Sequence, residues 1–141
     1  MKKLFFVMLA AVAVISAGFP AFARQDMARS KVVAYYFHGA FRCSTCTTIE
    51  KYSKEAVKIN FSEALESSKL EFKTVNVEDR GNEHFVKDYQ LYTKSLILSL
   101  VKDDKEIKSK NLDKIWQYAG NKQKFIDYVT GEIEGFLKDA Q

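Results

Sequence analysis

From Lys31 to Phe37 the chain reads Lys-Val-Val-Ala-Tyr-Tyr-Phe, apolar at odd and even positions alike. A strand with one wet face alternates, so a short run without alternation is predicted to be a strand in the middle of a sheet. From Cys43 to about Ser67 the period changes. Cys46, Ile49, Ala56, Val57, Phe61, Ala64 and Leu65 recur near helical spacing, while Glu50, Lys54, Lys58 and Glu63 fill much of the opposite face. One helix is expected there. Leu70 to Val77 alternates with period two and reads as a second strand. Asn82 or a neighbour opens a short helix through Phe85, Val86 and Tyr89. Ser95 to Val101 is a third strand, and Asp103-Asp104 turns it into a fourth over Glu106 to Lys110. That turn lacks the Asn-Gly or Asp-Gly pair that hairpins favour. Leu112 to Tyr118 makes a short helical connection. After Gly120-Asn121 comes a last amphipathic helix with Phe125, Ile126, Val129, Ile133, Phe136 and Leu137 on its apolar side.

The predicted order is β-α-β-α-β-β-α. A β-α-β unit implies a crossover helix and a parallel pair, and the later hairpin adds antiparallel strands. The expected class is therefore α/β, with a central mixed β-sheet flanked by helices on both faces. No internal repeat or low-complexity tract divides the chain.

Residues 1–23 are read apart from this fold. Lys2 and Lys3 precede an apolar stretch from Leu4 to Ile15, and Ala21-Phe22-Ala23 gives a small-x-small end. This is the form of a secretory signal peptide cleaved after Ala23, leaving residues 24–141 as a single domain. The apolar run is shorter than the roughly 20 residues a membrane-spanning helix needs. No stable membrane span is expected after cleavage, and the protein is expected in the periplasm or outside the cell. Composition then excludes one class of partner. The 22 basic residues against 18 acidic ones give +4, and two of those positive charges leave with the signal peptide. The rest are interleaved with acids, as in Lys102-Asp103-Asp104-Lys105-Glu106, which suits a solvated surface and not a nucleic-acid track.

The chemistry is concentrated in Cys43-Ser44-Thr45-Cys46, which holds both cysteines of the chain. A CxxC between a strand and a helix is the sequence form of a redox dithiol. A helix starting near Cys43 would aim unpaired N–H groups and a partial positive charge at its sulfur. Arg42 adds a cation. Cys43 is thus the expected nucleophile, with Cys46 one turn deeper as the resolving thiol. Two other readings stay open. A permanent crosslink over so short a loop would contribute only about 2 kcal/mol. The other is a non-enzymatic metal or metalloid binder through Cys43 and Cys46, and since a closed zinc site takes four ligands, two thiolates from each of two chains would complete it across a dimer. His38 stands near enough in sequence to serve as an acid/base or thiolate-stabilising group, whereas His84 reads as a helix-surface residue.

Tyr35 to Cys46, with Glu83 to Tyr89, Leu91-Tyr92-Thr93-Lys94-Ser95 and Asn111 to Trp116, resembles the thioredoxin-like superfamily. Within it, the chain is similar to the small exported family labelled nitrophenyl-compound nitroreductase subunit, ArsF type. The resemblance implies the thioredoxin fold, a thiol–disulfide oxidoreductase or electron-transfer role, and protein thiols, disulfides or a redox protein as partner. It implies no bound cofactor beyond the dithiol, and GxGxxG is absent. Two features depart from the superfamily. Its members place a cis-proline before the strand matching Ser95–Val101, but the only proline here is Pro20, so Lys94 or Ser95 takes that place. A cis bond without proline costs roughly 3 kcal/mol, so the loop is expected to be trans. The buried carboxylate many members use as proton acceptor is also missing, with Phe37 and His38 in its neighbourhood. Trp116 and Tyr118 read as packing residues. The sequon Asn60-Phe61-Ser62 is discounted because it falls within the predicted helix.

Overall fold

The computed structural model describes residues 30–141. The expected leader over residues 1–23 lies outside them, as does the start of the expected domain. Four strands, β1 (Ser30–His38), β2 (Leu70–Asn76), β3 (Ser95–Lys102) and β4 (Lys105–Asn111), form one sheet in the order β2-β1-β3-β4. β1 runs parallel to β2 and antiparallel to β3, and β3 is antiparallel to β4. The non-alternating β1 is interior, as its two apolar faces require.

Side-chain alternation along β1 separates two cores. Val32, Ala34 and Tyr36 face the larger one, with Leu96, Leu98 and Leu100 of β3. It is closed by α1 (Ser44–Asn60) and α5 (Lys122–Asp139) through Ile49, Val57, Phe125, Val129 and Ile133. Each such side chain taken out of water contributes about 1.5–3 kcal/mol. Phe37 points the other way and packs with Ile97 and Leu91, under Phe85 of the short α3 (His84–Asp88). Helices therefore cover both faces, giving the expected thioredoxin-like α/β fold.

The helix expected over Cys43 to Ser67 is two helices. Phe61 leaves the helical region (φ −133°, ψ 31°) and separates α1 from α2 (Ser62–Glu66). Its amide still reaches Val57, and Leu65 bonds back to it, so the chain bends while its hydrogen bonds continue. The bend keeps the Phe61 ring in the core. The sequon consequently straddles a helix boundary and not a helix interior, with the Asn60 amide donating to Ala56 and Thr130.

α5 begins at Asn121, whose side chain accepts from the Lys124 amide at 3.0 Å, an N-cap. Between β3 and β4, Asp103 (φ 50°) and Asp104 (φ 61°) both adopt the left-handed conformation. This is the geometry of a type I′ hairpin turn, carried here without glycine. β4 is exposed along its whole length and forms one edge of the sheet. Its lysines reach back to α5: Lys108 pairs with Asp139 at 2.7 Å and Lys110 with Glu132 at 2.7 Å. The last short helix, α4 (Ile115–Tyr118), leads into α5. Among the described residues no helix is long and apolar enough to cross a membrane.

Candidate functional site

β1 ends at His38, and the segment Gly39 to Arg42 carries the chain from the sheet onto the start of α1. Cys43 is the N-cap of that helix, with extended backbone (φ −84°, ψ 164°). Its sulfur accepts a hydrogen bond from the Cys46 amide at 3.2 Å, the role a serine or aspartate oxygen takes at ordinary helix starts. The first turn carries no acidic residue of its own to offset the positive end of the helix beside this sulfur. The Cys43 carbonyl accepts from the Thr47 amide and from the Thr47 hydroxyl, both at 3.0 Å.

Cys43 and Cys46 are joined as a disulfide, with Cα atoms 5.1 Å apart. The two sulfurs differ in access. Cys43 is half-buried, whereas Cys46 is 1% exposed, so only the first can meet a large substrate. This asymmetry suits an attacking thiol and a resolving one.

Arg42 lies next to Cys43, and its guanidinium is shared between two other groups. One nitrogen is 3.2 Å from His38 Nε2, and another pairs with the Glu50 carboxylate, which also meets Lys54 at 2.5 Å. His38, the last residue of β1, has Nδ1 2.8 Å from the Gly39 carbonyl. Because arginine can only donate, Nε2 is the acceptor and Nδ1 carries the proton. His38 and Arg42 are thus brought together, and Glu50 joins them from one turn beyond Cys46.

Ser95 opens β3 directly opposite Phe37, is 4% exposed, and donates to the Thr93 carbonyl at 3.0 Å. Every peptide bond among the described residues is trans, including those of this loop. Lys94 crosses the site more openly, with its ammonium 5.7 Å from the centre of the Phe41 ring. Phe41 is 74% exposed and Tyr92 is 94% exposed, which makes them an apolar rim. Beside the loop, a cleft of about 160 Å³ runs between His38, Glu78 and Tyr92. That is below the roughly 300–1,000 Å³ of organic-cofactor pockets and holds a side chain at most.

Three residues of this neighbourhood were not legible as site residues. Tyr36, read only as part of the apolar strand, is fully buried but aims its hydroxyl at the Cys46 carbonyl, 2.7 Å away. Burial holds that hydroxyl above the ordinary tyrosine pKa, against a smaller opposing pull from Arg42. Trp116, read as packing, is 37% exposed and donates from its indole to the Lys94 carbonyl at 3.1 Å. Glu50 was read only as part of a charged helix face. In contrast, His84 lies exposed on α3 as expected, 2.8 Å from Asp88. Among the described residues there is no group of three or more His, Cys, Asp or Glu side chains able to hold a metal ion. A metal on Cys43 and Cys46 would need ligands from outside the described chain.

No family model matches the chain, and no curated protein matches it. Solved structures similar to it include a thioredoxin of Fasciola hepatica, at 21% identity over 71% of this chain and 79% of that one, TM-score 0.40. The germline-specific thioredoxin Deadhead of Drosophila melanogaster is 15% identical, covering 67% of this chain and 80% of its own, TM-score 0.42. A thioredoxin of Trypanosoma brucei brucei is 16% identical, covering 72% and 80% respectively, TM-score 0.38. These are distant likenesses, and the fold assignment rests on strand order, strand direction and the position of the dithiol.

Proposed function

We propose that the protein is an exported thiol–disulfide oxidoreductase working through Cys43 and Cys46. The observation that carries this is the asymmetric pair at the start of α1, one sulfur accessible and capped by a helix amide, the other buried behind it. In the reducing direction the Cys43 thiolate attacks a substrate disulfide. That S–S bond breaks, one substrate thiolate leaves and takes a proton, and a mixed disulfide forms. Cys46, deprotonated, then attacks the Cys43 sulfur, closes the bridge and releases the second substrate thiolate. Two electrons pass to the substrate; donation of the bridge runs the same steps backwards. Relative stability of the two redox forms sets the direction.

The substrates follow from the chemistry: thiols and disulfides of proteins, approached across the rim of Phe41, Tyr92 and Lys94. Arg42, His38 and Ser95 support the dithiol in this reading. Export is supported by Lys2, Lys3, the apolar stretch to Ile15 and Ala21-Phe22-Ala23, which together would deliver residues 24–141 to the periplasm or beyond. The likeness to the ArsF-type family adds a finer reading, in which the dithiol passes electrons to an associated enzyme.

The deciding experiment equilibrates the protein with reduced and oxidised glutathione. Cys43 should exchange, alkylate faster than free cysteine once reduced, and accumulate as a mixed disulfide in Cys46→Ser. A bridge inert to exchange, or a Cys43 no more reactive than free cysteine, would defeat the proposal.

A further inference from the structure

We propose that Tyr36 is a positioning residue for the dithiol, its hydroxyl holding the first turn of α1 in the geometry that favours Cys43 as a thiolate. The inference rests on the thiol–disulfide reading above. From a ring with no exposed surface, the hydroxyl donates to the Cys46 carbonyl at 2.7 Å. That carbonyl shares a peptide group with the Thr47 amide, which donates to the Cys43 carbonyl at 3.0 Å. A bond made at one end of a peptide polarises the donor at its other end, so the three groups form a continuous chain from β1 to Cys43. The next amide back, that of Cys46, is the one that donates to the Cys43 sulfur at 3.2 Å.

Helix starts fray because their first amides lack partners within the helix. This one is pinned to the central strand of the sheet. Packing alone does not ask for a phenol at position 36, since phenylalanine has nearly the same shape and no buried hydroxyl to satisfy. An N–H to sulfur bond is stronger when the sulfur is charged than when it is bridged. Fixing that amide therefore stabilises the reduced, ionised pair more than the disulfide.

Tyr36→Phe, which keeps the ring, tests this. The equilibrium constant for reducing the Cys43–Cys46 bridge with glutathione should fall roughly fivefold, the difference between a charged and a neutral hydrogen bond. Fivefold corresponds to about 20 mV at about 30 mV per tenfold. Cys43 should alkylate more slowly at neutral pH. A hydrogen bond of purely structural value would lower the melting temperature of oxidised and reduced protein equally and leave the constant unmoved, which would overturn the proposal. Replacing Tyr36 with 3-fluorotyrosine keeps the fold and gives a stronger donor. It should move the constant the other way, and no movement there would also overturn the proposal, even if Tyr36→Phe fails to fold. Wild-type protein that does not exchange with glutathione at all would instead defeat the oxidoreductase reading itself.

Discussion

The indole N–H of Trp116 donates to the carbonyl of Lys94 at 3.1 Å, tying α4 to the loop that enters β3. The same lysine sends its ammonium over Phe41, two residues before Cys43. One backbone oxygen thus links the C-terminal part of the chain to the rim of the dithiol. Trp116→Phe should lose about 1 kcal/mol, one hydrogen bond at a half-exposed site. Urea unfolding followed by circular dichroism reads this, since Trp116 is the only tryptophan. Amide exchange in the Tyr92–Ser95 loop should quicken in the same variant, and unchanged exchange would show that the contact does not order the loop.

Opening the bridge should not unfold the protein. Cys43 and Cys46 are three residues apart, and a loop that short is worth roughly 2 kcal/mol in the chain-entropy model. Unfolding free energies of oxidised and reduced wild-type protein, from urea titrations, should differ by no more than that. Loss of cooperative unfolding on reduction would mean that the bridge is a structural staple.

Alkali should destabilise the fold through its tyrosines. Burial, with help from Glu132, pushes the Tyr128 hydroxyl up to about 12, and burial also raises Tyr36 and Tyr89. A tyrosine in the unfolded chain ionises near 10. Below that value both states hold the proton and the stabilisation is complete. Above it the unfolded chain releases protons first, so stability falls as pH rises from about 10 through 12. Melting temperature against pH, read beside tyrosinate absorbance, should show these residues titrating late and together with unfolding. Early titration of every tyrosine in a still-folded protein would contradict the assignment.

The glycine-free turn is a place to gain stability. Asp103 and Asp104 both hold positive φ, where a side chain costs about 1–2 kcal/mol, less for aspartate than for most residues. Asp104→Gly should raise stability by several tenths of a kcal/mol to about 1 kcal/mol. Chemical denaturation measures it, and a fall in stability would mean that the Asp104 side chain contributes more than its backbone costs.

What the sequence made legible was what periodicity encodes. The double-faced apolarity of Lys31–Phe37 placed β1 inside the sheet, and the position of Cys43 after it placed the sulfur at a helix start. Periodicity could not find the bend at Phe61, because Ala56, Val57, Phe61, Ala64 and Leu65 keep helical spacing across it. A run apolar on both faces could not say which face Tyr36 takes, nor what its hydroxyl meets. The Arg42 charge was visible, but Glu50 as its partner depends on how α1 leaves the sheet. Trp116 and Lys94 are 22 residues apart, and only the tertiary fold brings them together.

The exposed strand β4 has a consequence for how the molecule coexists with its own copies. An open strand edge is a template on which another chain can extend the sheet. Here Lys105, Lys108 and Lys110 stand along β4, the latter two held against Asp139 and Glu132 of α5, and charged lysines on an edge strand disfavour pairing with another chain. The sheet thereby resists growth into a fibril from this side.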